Sequence, residues 1–221
     1  MTVDSARARR KARTRAAIVT AARDRFVAVG YDATTVRDIA DAAGVAVGTV
    51  HAHFADKTAL LFACFYDQIA GAVALGFESL DERAPLIDQL THIGRVLYAA
   101  YARHPALSRV MFTASLFPTD HRPGDDGLFR PFLEDVAGLY RAAHARGELT
   151  RLPADGQRGA LLFFSCYLNA LIGGLAGVYD PEGQPASAGR WAAALRSLLA
   201  GHLVGLGGPD AWFDTPREEI P

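Results

Sequence analysis

Apolar positions along this chain recur at helical spacing, and no segment alternates convincingly as a strand. Ile18, Ala22, Phe26 and Val29 form the buried stripe of a helix from about Arg9 to Val29, which Gly30 stops. Thr35 is placed to cap a short helix, with Asp38 three residues later. Ile39, Ala40 and Ala43 follow at helical spacing, and Gly44 can take the left-handed conformation that ends it. Val50 and Phe54, spaced i, i+4, mark a second short helix beginning at Val47, and Asp56 caps a long one from Lys57 to about Leu80. Further helices are expected over 85–103, 105–116, 128–146, 155–179 and 188–204, each on its own apolar stripe. FPTDHRPGDD at 117–126 and DPEGQPA at 180–186 read as loops. The fold class is all-α, with about nine helices. Residues 1–56 form an arm and a three-helix domain, 57–205 a second helical domain, and 206–221 a tail in which Trp212 and Phe213 can dock locally.

Thr34 to Lys57, TTVRDIADAAGVAVGTVHAHFADK, is thus two short helices joined by a tight turn at Gly44 and Val45. That is a helix-turn-helix, which presents its second helix to the DNA major groove. With Val50 turned inward, steps of about 100° per residue place Phe54 beside it, with Val47 and His53 flanking. Gly48 and Ala52 then face outward, with Thr49 and His51 to either side. Small outward residues let the helix lie close to the groove floor. Ala52 and Val47 suit contact with thymine methyls, and Thr49 can bond a base edge or a phosphate. His51 and His53 can donate to phosphates. Lys57 and the free amides at the start of its helix offer a phosphate seat, and Arg37 and Thr35 extend the candidate DNA-facing set.

Charge sharpens this picture. Residues 1–60 hold ten Lys/Arg and six Asp/Glu, net +4; residues 61–221 hold thirteen and eighteen, net −5. A basic first part on an acidic remainder fits an anionic partner for the first part alone. Arg7, Arg9, Arg10, Lys11 and Arg13 form a basic arm that can lie along phosphates or enter the minor groove. Cys64 and Cys166 lie far apart in apolar surroundings, which points to reduced thiols in a cytoplasmic protein. No apolar run follows the basic start, so no secretory signal is expected. Gly159 to Tyr179 is 21 residues without a charge. A buried helix fits this stretch better than a membrane span, because it carries Ser165, Asn169 and four glycines.

The pattern resembles the TetR-type repressor signature. Arg15, Ile18, Ala21-Ala22, Phe26, Gly30-Tyr31, Thr34-Thr35-Val36, Ile39-Ala40, Ala43-Gly44-Val45, Gly48-Thr49-Val50, His53-Phe54, Lys57 and Leu60 carry the likeness. It covers roughly residues 15–61. Ala46 stands where that family usually has Ser, which removes a side-chain cap normally contributing about 1 kcal/mol. His51 stands where it usually has Tyr, which alters the geometry and pH dependence of a phosphate contact.

A DNA-reading domain this small gains specificity by pairing on a palindrome, so a homodimer on double-stranded DNA is expected. In the uncharged helix, Cys166, Ala170, Gly173 and Gly177 fall on a small side that lets another backbone approach. Phe164, Leu168, Leu171 and Leu175 fall on a bulky side suited to the protomer core. The last helix carries a stripe with Trp191, Leu195 and Leu199. The resemblance implies that these two helices pair across the dimer, against the alternative that both stripes are intramolecular core. It also implies a ligand cavity in the second domain. The candidates there are the aromatic Phe112, Phe132, Tyr140, Phe164 and Tyr167, with Tyr101, His92 and Asn169 for polar contacts. Few charges fall among them, so the expected effector is small, apolar or aromatic, and not strongly charged. No enzyme, cofactor or metal site is expected: the chain has no G-x-S-x-G, P-loop or H-E-x-x-H, and the rings of His51 and His53 point about 200° apart. A DNA-binding architectural protein without an effector is the rival reading, and it predicts weak sequence preference.

Overall fold

The computed structural model describes residues 3–116, 127–182 and 184–209. The loop at 117–126 and the aromatic pair Trp212 and Phe213 lie outside the described residues, which contain nine α-helices and no strand. They are α1 (Val3–Val29), α2 (Val36–Ala43), α3 (Val47–His53), α4 (Lys57–Glu78), α5 (Leu86–Ala102), α6 (Pro105–Leu116), α7 (Phe129–Ala145), α8 (Gln157–Leu175) and α9 (Ala188–Gly205). The chain divides into two compact units, Met1–Gln68 with Ala106–Gly124, and Ile69–Pro105 with Asp125–Pro221.

In the first unit, Ile18, Ala22 and Phe26 of α1 are buried with Ile39 and Ala40 of α2, Val50 of α3, and Leu60 and Leu61 of α4. The Phe26 and Tyr31 rings meet at 5.3 Å. The expected free arm is corrected: α1 is already helical at Val3. Residues 6–17, ARARRKARTRAA, are almost all Ala, Arg and Lys, among the strongest helix formers. Joined to a helix nucleated in the core, they need only propagate it.

In the second unit, α5 packs on α9, and α8 packs against both α7 and α9. The core includes Leu90, Ile93, Leu97 and Tyr98 of α5, Val136 and Tyr140 of α7, Phe163 and Leu171 of α8, and Trp191, Leu195 and Leu199 of α9. By length and composition α4 and α8 could each cross a membrane. Of the two, α8 buries Phe163, Tyr167, Leu171 and Leu175 within this unit. The helix expected over 155–179 is shorter. A 3-10 turn at Pro153–Gly156 precedes it, with Ala154 and Asp155 at φ 49° and 51°. After Leu175 the chain reverses at Gly177, φ +78°, and Tyr179 folds back on Gly173.

The glycines of α8 make room for rings of the same chain. A Cβ on Gly159 would lie 2.6 Å from the Tyr140 ring, on Gly173 2.5 Å from Tyr179, and on Gly174 2.3 Å from Trp191. Asp180 fixes the connection to α9: its carboxylate accepts from Trp191 Nε1 at 3.1 Å and pairs with Arg190 at 2.7 Å.

Candidate nucleic-acid interface

The helix-turn-helix is fastened at both ends of α2. The Thr35 hydroxyl accepts from the Asp38 amide at 3.1 Å, and the Asp38 carboxylate accepts from the Thr35 amide at 2.9 Å, a closed capping box. These Thr35 hydrogen bonds hold the Asp38 carboxyl below its ordinary range. At the other end Gly44 sits at φ +66°; its amide reaches Asp41 O at 3.2 Å, and the Val45 amide reaches Ala40 O at 3.0 Å. This pair of bonds is a Schellman closure, and it sets the direction in which the chain enters α3.

Around α3 the side chains fall as helical stepping from Val50 requires. Val50 and Phe54 are buried, and Thr49 and His53 are half-buried. Gly48, His51 and Ala52 are exposed, and Val47 is 38% exposed. No atom lies within 4 Å of where a Cβ on Gly48 would be, so that face is open. Arg37 and Thr35 are exposed on α2 and at its cap. Ala46 caps α3 without a side-chain bond; its carbonyl accepts from the Thr49 amide at 2.8 Å.

Lys57 has a different occupation from a free phosphate contact. Its ammonium donates to Tyr31 O at 2.9 Å and Thr34 O at 3.1 Å, lies 3.5 Å from Asp32 O, and sits 4.3 Å from the centroid of the Tyr31 ring. The Tyr31 hydroxyl is bonded to Thr58 at 3.1 Å. Lys57 therefore ties the α1–α2 loop to the start of α4 and positions the motif. The helix-start seat beside it is partly filled, since the Asp56 carboxylate accepts from the Ala59 amide at 2.7 Å. Sequence reasoning missed this clamp because its partners lie more than twenty residues apart with no shared periodicity. It also missed Arg15, whose guanidinium stands 5.1 Å from the centroid of the Phe54 ring and so places α1 beside the end of α3.

In the second unit the effector candidates separate. Tyr101, Phe132, Tyr140 and Tyr167 are buried and Phe164 is half-buried. The Tyr98 and Tyr167 rings stack at 5.0 Å, and Phe163 and Phe164 lie 6.2 and 6.0 Å from Tyr167. Tyr98 Oη donates to Tyr167 O at 2.9 Å, while Tyr140 Oη is buried without a hydrogen-bond partner among the described residues. Burial pushes the Tyr98, Tyr101, Tyr140 and Tyr167 hydroxyls up, so they are neutral donors. Three candidates lie elsewhere. His92 is half-exposed and bonded to Ser79 at 2.9 Å, Asn169 is exposed, and Phe112 belongs to the first unit.

The dimer-face candidates need a larger correction. Trp191, Leu195, Leu199 and Ala170 are buried within the protomer, and Gly173 is covered by Tyr179. Cys166 is half-buried, and Gly177 lies in the turn after α8. Rings of its own chain fill the small side of α8 at Gly159 and Gly173, whereas Cys166 and Gly177 are not covered in this way. The exposed apolar residues lie on other faces: Leu161 (51% exposed), Leu162 and Ile172 (48%) on α8, with Ser165 and Asn169 between them, and Leu198 (39%) on α9 beside exposed Ser197 and Gly201. Among the described residues, no group of three or more His, Cys, Asp or Glu side chains could hold a metal.

Residues 18–64 match the family model for bacterial regulatory proteins of the tetR family. None of the curated proteins matches the sequence. Among solved structures, Thermus thermophilus FadR, a TetR-family repressor in complex with lauroyl-CoA, is 26% identical with a TM-score of 0.62, over 86% of this chain and 95% of that one. A protein of Shewanella sp. PV-4 classed with the tetR-family transcription regulators is also 26% identical, with a TM-score of 0.56, over 87% of this chain and 97% of that one. A gamma-butyrolactone receptor, ArpA-like, shares the fold at 19% identity and a TM-score of 0.54, over 92% of this chain and 95% of that one.

Proposed function

We propose that this chain, a TetR-family transcription regulator, is a cytoplasmic repressor that binds a palindromic operator as a homodimer and leaves it when a small apolar or aromatic effector binds. The observation that carries the reading is the outward face of α3. Val47, Gly48, His51 and Ala52 stand exposed, with half-buried Thr49 at their side, on a short helix whose approach is fixed by the Thr35–Asp38 box and the Gly44 closure. Such a face is small enough to reach base edges and carries hydroxyl and imidazole donors at its sides. Arg37 and His53 supply flanking contacts, Thr35 is held in the capping box, and Lys57 positions the motif.

Residues 1–56 read DNA in this account, and 57–205 supply the effector and dimer functions. Pairing places two copies of α3 about 34 Å apart on successive turns of DNA. The exposed apolar residues at Leu161, Leu162, Ile172 and Leu198 support pairing through the outward faces of α8 and α9. The buried aromatic cluster with neutral hydroxyls supports an effector whose bound part is uncharged. A long acyl chain is the first to try, because FadR of Thermus thermophilus binds lauroyl-CoA.

The test selects duplexes from random DNA with the full-length protein and follows binding by gel shift. A selected palindrome, released by lauroyl-CoA and not by coenzyme A alone, is expected. Equal release by coenzyme A alone would overturn the apolar-effector reading. Selection of no sequence would favour an architectural DNA-binding protein. Ala52→Glu, which sets a carboxylate against phosphates and base acceptors, should reduce operator affinity at least about 100-fold. The dimer should persist in size-exclusion chromatography; normal operator binding by this variant would put the wrong face of α3 on DNA.

A further inference from the structure

Buried residues of α1 begin at Ile18. From Ala6 to Ala17 every residue is exposed except the half-buried Thr14. At 1.5 Å per residue this leaves a helical overhang of about 18 Å, matching about five base-pair steps of B-DNA. It carries Arg7, Arg9, Arg10, Lys11 and Arg13, and no ion pair among the described residues engages them. The overhang starts where Arg15 meets Phe54, the residue that ends the DNA-reading helix, so its cations lie within about 12 Å along the axis from that point.

The geometry points to a second DNA contact: the helical overhang of α1, through Arg7, Arg9, Arg10, Lys11 and Arg13, clasps the phosphate backbone flanking the bases that α3 reads. This rests on the repressor reading above. Charge complementarity selects the partner, since five cations spread over about 10 Å of axis stand against about three phosphates of one strand, at about 3.4 Å apiece. Helicity selects the mode. A helix with its side chains is about 10–12 Å across, and the minor groove is about 6 Å wide, so the overhang lies along the backbone and does not thread the groove.

The experiment compares full-length wild type with two variants on the duplex selected above. Replacing all five cations by Ala keeps the helix and removes the charge. Ala8→Pro with Ala12→Pro keeps the charge and breaks the helix. For the five-Ala variant, the plot of log affinity against log salt should be shallower by about 2–3 units, at about 0.9 for each of about three phosphates released. Its preference for the selected duplex over a scrambled one should stay within about 3-fold of wild type. Hydroxyl-radical footprints should lose about five base pairs of flanking protection with either variant, and distamycin should not compete for that flank. An unchanged slope would overturn the proposal. Flanking protection kept by the proline variant and lost to distamycin would also overturn it, showing an extended arm in the minor groove. If wild type selects no palindrome, the repressor reading fails by itself, and the slope and footprint on a fixed duplex still decide the clasp.

Discussion

Gly44 and Gly174 are both required to be glycine, for opposite reasons. Gly44 sits at φ +66° with nothing within 4 Å of where a Cβ would be. It is there for the backbone, to let the chain leave α2 at the angle α3 needs. Gly174 has an ordinary helical backbone, but a Cβ would lie 2.3 Å from the Trp191 ring. It is there for space. The first kind belongs to a unit built from local devices, in which caps and turns close over three or four residues. The second belongs to a unit built by rings that arrive from other helices and fill notches. The first unit therefore depends on backbone conformation, and the second unit on packing.

The strongest way to break this comparison is at the notch. Trp191→Ala removes a buried ring and leaves Asp180 without its indole donor, and should cost about 3–5 kcal/mol. Gly174→Ala should cost about 1–3 kcal/mol, although alanine is about 1 kcal/mol better in a helix, because the neighbour is a rigid ring. In the double variant the methyl enters the vacated space, so the two losses should not add. Urea denaturation of the four proteins checks this. A stabilising Gly174→Ala would place the glycine's role in the backbone after all.

The next test lies at the Lys57 clamp, where the first unit does use a long-range tie. Lys57→Ala should lower the unfolding free energy by about 2 kcal/mol, through loss of charged hydrogen bonds to the Tyr31 and Thr34 carbonyls. Because the ammonium is engaged within the protein, the salt slope of DNA binding should stay unchanged when measured well below the melting temperature. A slope shallower by about one unit would instead place the charge on a phosphate.

These particulars show what was legible in the sequence. The capping box, the Gly44 closure, the inward turn of Val50 and Phe54 and the all-helical class follow from residues a few positions apart. The helical start of α1 was legible in principle, since its Ala and Arg content favours a helix, but its positive charge suggested an arm. Neither the Lys57 clamp nor the filling of the α8 notches was legible. A small-residue stripe says only that something approaches closely. Whether that is a second backbone or a ring of the same chain depends on where α7 and α9 pack. That ambiguity put the expected dimer face on Ala170 and Gly173, which are covered within the protomer, while the exposed apolar residues of α8 include Leu161 and Ile172. His92 and Asn169, expected as polar contacts of a pocket, both reach the surface.

Back in the local unit, Gly44→Ala should cost about 1–2 kcal/mol by backbone strain alone, since the space is open. A value near zero in thermal melts would show that Gly44 is as replaceable as an ordinary helix end.

The smallest expected effect has the opposite sign. Ala46 holds the N-cap of α3 at φ −71°, ψ 148°, the extended conformation a capping serine adopts, yet supplies no side-chain bond. Ala46→Ser should let a hydroxyl accept from a free amide in the first turn and stabilise the protein by about 1 kcal/mol. Amide exchange at Val50 and Phe54, whose N–H groups bond back within α3, should slow by about fivefold if the helix frays from its first turn. Unchanged exchange would mean that the Gly44 closure and the burial of Val50 already hold α3, so that the first unit too is governed by packing.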